Sequence, residues 1–88
     1  MARMEMGMDR FVVAARSGAP DALFELGLLY ATGLDVEVDL VVAHKWFNLA
    51  SLRGNRAALA RRIELAREMT ASQVAQAQKL AREWLATN

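Results

Sequence analysis

The sequence predicts an all-α fold, a short α-solenoid of antiparallel helical hairpins with about five helices. Three observations lead there. Apolar residues recur at helical spacing, most clearly Val74, Ala77, Leu80, Ala81, Trp84 and Leu85. No segment alternates with period two for long enough to make a strand, since the best candidate, residues 34–42, carries Asp35, Glu37 and Asp39 and runs into a helical pattern. Parts of the pattern also return 36 residues later: Phe11 with Phe47, Ala14 with Ala50, Gly18 with Gly54, Ala22 with Ala58, Leu23 with Leu59, and Leu29 with Leu65. A period of that size is the mark of stacked helical hairpins.

Each element has its own signals. Asp9 to Ser17 places Phe11, Ala14 and Ala15 on one side of a short helix, and Gly18 stands where a C-terminal cap closes it. Pro20 opens the next helix, because proline costs least in a first turn, and Asp21 sets a negative charge near the positive end of the helix dipole. This helix runs to Thr32, with Leu23, Leu26, Gly27 and Tyr30 on one face and Phe24, Leu28 and Ala31 on another, so it must touch two neighbours or a neighbour and a ligand. Gly33 ends it. Asp39 can accept hydrogen bonds from the first amides of a third helix, which extends to Arg53 with Ala43, Trp46, Phe47 and Ala50 as its buried stripe.

Gly54 and Asn55 repeat the stop and the start. A fourth helix is predicted to reach about Glu68 with Leu59, Ile63 and Ala66 inward. Thr70 with Gln73 three residues later forms a capping box, and the amphipathic stretch that follows makes a fifth helix ending near Ala86.

Composition bounds the chemistry. Eighty-eight residues make one small domain, 1–88, with a thin core. The chain has no cysteine, which removes disulfides, thiolate metal sites and thiol nucleophiles together. No apolar run approaches the roughly 18 residues of a membrane-spanning helix, and MARMEMGMDR lacks the apolar centre of a secretory leader, so cytoplasmic residence is expected. Net charge is +1 but unevenly spread. Acids dominate between Ser17 and Leu52, whereas Arg53, Arg56, Arg61, Arg62 and Arg67 crowd the segment after it, an asymmetry that can steer a partner or favour head-to-tail self-association.

Ala22, Leu26, Gly27, Leu29, Tyr30, Gly33, Val36, Asp39, Ala43, Trp46, Ala50 and Gly54 stand in a register that resembles the Sel1-like repeat, a relative of the tetratricopeptide repeat with a longer loop inside each hairpin. The sequence departs from that pattern at Asp35, where a second loop glycine is usual, at Val42, where lysine is common, and at Ser51, in place of a second alanine. The resemblance implies one complete repeat over 20–54, a partial repeat over 9–18 after a flexible 1–8, and a degenerate repeat over 55–88 serving as a C-terminal cap. It also implies that Ala22, Leu26, Gly27, Tyr30, Gly33, Ala43, Trp46, Ala50 and Gly54 serve repeat packing.

By the same resemblance the chain is a non-catalytic protein–protein interaction module that takes a peptide or protein segment on its concave helical face, without cofactor. Asp21, Phe24, Glu25, Leu28 and Ala31 remain as the candidate groove face, with Phe24 and Leu28 as apolar anchors and the two acids favouring a basic partner. Equally open is that Phe24 and Leu28 pack against the N-terminal helix. So short an array leaves hairpin faces uncovered, and a weak homodimer is expected.

Other chemistries find little support. His44 is the only histidine and reads as an exposed helical residue, with no nucleophile motif beside it, so no catalytic residues are assigned. Asp35, Glu37 and Asp39 alternate as in a calcium loop, but Leu40 and Trp46 occupy the positions that need glycine and a bidentate glutamate. Met4, Met6 and Met8 could offer thioethers to Cu(I), yet a disordered N-terminus or hydrophobic filler accounts for them better, and no metal site is assigned. The Arg53–Arg67 segment is the basis of an alternative, a small nucleic-acid-binding helical protein. Against it stand Glu64, Glu68 and the near-neutral total. A small enzyme of unknown reaction is the remaining alternative.

Overall fold

A computed structural model describes residues 15–88, which form four helices and, among the described residues, no strand. They are α1 (Pro20–Thr32), α2 (Leu40–Leu52), α3 (Arg56–Ala66) and α4 (Ala71–Thr87). Ala15 and Arg16 are helical as well. Residues 1–8, expected to be flexible, and most of the expected Asp9–Ser17 helix lie outside the described residues.

Local chemistry sets the boundaries. Pro20 occupies the first turn of α1, and Gly33, at φ 77°, closes its end by donating its N–H to the Leu29 carbonyl. The Asp39 carboxylate accepts from the Val42 amide at 3.1 Å and starts α2. Asn55 does the same for α3 through the Ala58 amide at 2.9 Å. At α4 the capping box is complete, with the Gln73 amide donating to the Thr70 hydroxyl and the Thr70 amide donating to the Gln73 side chain.

α2 is the hub, and each of the other helices packs chiefly against it. Its stripe of Ala43, Phe47 and Ala50 is fully enclosed, together with Leu23 and Leu26 of α1, Ala58 and Leu65 of α3, and Ala81 of α4. Gly27 brings α1 close, since a Cβ there would collide with the Phe47 ring. Trp46 is only half-buried; its ring meets Trp84 of α4 edge-on at 6.1 Å and carries the Lys45 ammonium 4.2 Å from its centroid. Of the remaining repeat-packing positions, Ala22 is buried, Tyr30 and Gly33 are half-buried, and Gly54 is exposed.

Three sequence expectations need correction. Leu59 and Ile63 do not point inward; they are 43% and 47% exposed, because α3 turns Ala58 and Leu65 toward α2 and α4 scarcely touches it. The cause is visible in the register. Where α1 has Leu26–Gly27, α3 has Arg62–Ile63, and where α2 has Phe47, α4 has Glu83, so the close approach that seals the first hairpin has no counterpart in the second. Leu85 is exposed for the same reason, since α4 presents Ala77 and Ala81 inward. His44, expected at the surface, is 1% exposed, because the hub helix is covered on several sides.

Candidate docking cleft

A cleft of about 200 Å³ opens between the end of α1 and the middle of α3, with α2 behind it. Ala31 and Thr32 form one wall, Arg61, Glu64, Leu65 and Glu68 the other, and Leu40 and Phe47 the back. Residues 61, 64 and 65 fall at helical spacing and so share one side of α3, and Glu68 follows in the turn just after it. Phe47 and Leu65 are buried and make an apolar floor, whereas Thr32, Arg61, Glu64 and Glu68 are exposed and make a mixed-charge rim. The Thr32 hydroxyl is already committed, donating to the Leu28 carbonyl at 2.8 Å.

Of the five groove candidates read from the sequence, Ala31 lines this cleft. Phe24 and Leu28 are half-buried and pack against the core, Phe24 through a tilted ring contact with Phe47 at 5.8 Å. Asp21 and Glu25 are exposed. The Asp21 carboxylate accepts a hydrogen bond from the Asn55 amide at 3.1 Å, which ties the start of α1 to the start of α3. The opposite wall escapes a reading of α1 alone, although the sequence holds a signal for it: adding the 36-residue period to Glu25, Leu28 and Thr32 gives Arg61, Glu64 and Glu68.

Two titratable side chains of α2 are wholly or partly withdrawn from water. Both His44 ring nitrogens are buried without a hydrogen-bond partner, and so is the Nε of Arg62. Burial, reinforced by the Arg62 charge, lowers the His44 pKa from its ordinary value and holds the ring neutral. Burial likewise lowers the Lys45 pKa, and Glu83 opposes the effect. His44 does not line the cleft. Among the described residues no group of three or more histidine, cysteine, aspartate or glutamate side chains is gathered to hold a metal, and no helix is long and apolar enough to cross a membrane.

The arginines do not make one stripe. Arg53 lies over Gly18, where its guanidinium occupies the space of a would-be Cβ, and Arg62 is half-buried. Arg61 lines the cleft, while Arg56 and Arg67 fall on the other flank of α3. Chemically the arrangement offers apolar contact with a charged edge.

An antiparallel hairpin with small residues at its seam, followed by a helix stacked on its second member, defines a helical-repeat protein. Residues 20–55 match the Sel1 repeat family, so α1, its loop and α2 constitute a Sel1 repeat. Comparison with curated proteins and with solved structures found no match.

Proposed function

We infer that the protein is a non-catalytic interaction module whose cleft between α1 and α3 receives a segment of another protein. The observation that carries this reading is the cleft itself: α1 and α3 wall it, the enclosed Phe47 and Leu65 give it an apolar floor, and Arg61, Glu64 and Glu68 form its rim. A volume of about 200 Å³ accommodates one or two side chains, which suits an extended or helical segment anchored by an apolar residue. Glu64 on α3 and Glu68 in the turn after it, with Glu25 exposed on α1, favour a lysine or arginine beside that anchor.

The test is selection of peptides from a random displayed library on the intact chain. Enriched peptides should combine an apolar anchor with a basic residue, lose binding to Ala31→Trp, which fills the cleft, and weaken with Glu64→Lys/Glu68→Lys. Peptides that bind the filled variant as well as the wild type would remove the cleft from the reading.

A further inference from the structure

We propose that copies of this chain associate head to tail, the loop between α1 and α2 of one copy docking on the outer flank of α3 of the next. Two exposed apolar patches of opposite charge carry this inference. Arg56, Leu59, Ile63 and Arg67 follow one another at intervals of three, four and four residues, which places them on a single stripe with two aliphatic side chains between two cations. Leu59 and Ile63 are 43% and 47% exposed. Their counterparts one period earlier are Leu23 and Gly27, both buried in the first hairpin, so the stripe occupies the position that a packed neighbour covers in α1 and that α4 leaves bare.

The complementary patch is the loop. Leu34 and Val38 are 63% and 56% exposed, and Asp35, Glu37 and Asp39 interleave with them. Its ends are pinned, the Gly33 amide to the Leu29 carbonyl at 2.9 Å and the Asp39 amide to the Tyr30 carbonyl at 3.0 Å. A loop held at both ends loses little freedom on docking. Both patches are exposed in the same chain, so neither satisfies the other internally. A contact between two different patches leaves one of each free at the ends of every pair, and association therefore continues past the dimer unless a ring closes. The two aliphatic pairs supply the contact, and the opposite charges set its direction and make it sensitive to salt.

Sedimentation of the full chain across concentration, at low and high salt, tests the proposal with two double variants at exposed positions, Leu34→Ser/Val38→Ser and Leu59→Ser/Ile63→Ser. The wild type should pass beyond dimer as concentration rises toward about 1 mM, and salt should weaken association about tenfold or more. Each variant should keep its helical circular dichroism and remain monomeric. An equimolar mixture of the two should form dimers and stop there, since only one intact pair of patches remains. Ala31→Trp should associate as the wild type does, which separates this surface from the cleft. A wild type that stays monomeric throughout, including one that captures an acidic peptide on α3 instead, would overturn the proposal. So would variants that associate undiminished, or a mixture that yields no dimer.

Discussion

The Phe47 ring fills the space that a side chain at Gly27 would need, so that α1 and α2 meet ring against bare backbone. This contact sets the separation of the first hairpin and encloses Leu23 and Leu26 beside it. Gly27→Ala should therefore destabilise the protein by about 1–3 kcal/mol, the usual range for overpacking a tight core. The sign is the informative part. In an open helix the same change stabilises by up to about 1 kcal/mol, so urea denaturation followed by circular dichroism decides whether the ring can move aside.

Asn55 holds two helices with one side chain. Its oxygen caps α3 at the Ala58 amide, and its nitrogen donates to Asp21 at the start of α1. Asn55→Ala should cost about 1 kcal/mol, most of it from the lost cap. Asp21→Ala removes the exposed bridging bond together with a first-turn negative charge and should cost about 0.5 kcal/mol. A thermal melt of each variant and of the double variant separates the two contributions, and a cost at Asp21 equal to that at Asn55 would show that the bridge stabilises the fold more than the cap does.

Much of this is readable from residues whose effect is local. Pro20, Gly33, Asp39, Asn55 and the Thr70–Gln73 pair fix the helix limits because capping depends on neighbours within one turn. What sequence periodicity does not supply is coverage. The spacing of Leu59 and Ile63 shows that α3 has an apolar flank, but whether α4 lies over it depends on Ile63 and Glu83 replacing the Gly27 and Phe47 of the first hairpin. His44 defeats the sequence reading for the converse reason: it sits on the helix that every other helix covers, and a polar residue there is enclosed by topology alone. The cleft is half legible, since a groove between two helices cannot be read from one of them, and only the period carries Glu25 and Leu28 across to Arg61 and Glu64.

Asp35 is the one described residue other than glycine with positive φ, at 67°, and it stands where the Sel1-like pattern usually has a second loop glycine. A left-handed conformation costs a residue with a Cβ roughly 1–2 kcal/mol, less for aspartate, whose short polar side chain tolerates it. Asp35→Gly should stabilise the fold by about 0.5 kcal/mol after glycine's greater unfolded-state entropy is subtracted. Asp35→Val should destabilise it by more than that, because a β-branched residue fits this region poorly. Chemical denaturation midpoints measure both, and an unchanged midpoint for valine would show that the loop relaxes to negative φ.

His44 links stability to pH. Its folded pKa lies below the unfolded value of about 6.5, because burial disfavours the charged ring and Arg62 adds repulsion. Well above pH 6.5 the ring is neutral in both states and its contribution is fully present. As pH falls through that value toward the folded pKa, the unfolded chain takes up the proton first and stability declines. The melting temperature should therefore drop by a few degrees between about pH 7.5 and 5.5, a range in which ordinary surface carboxylates stay ionised. His44→Leu removes the titrating ring and also the unpartnered nitrogens, so its melting temperature should be nearly flat over the same interval. Arg62→Met, which keeps the aliphatic stem but not the charge, should shrink the drop without abolishing it, since burial is the larger cause. A wild-type profile with no slope would mean that His44 reaches water when protonated, and equal slopes in wild type and His44→Leu would assign the effect to other groups.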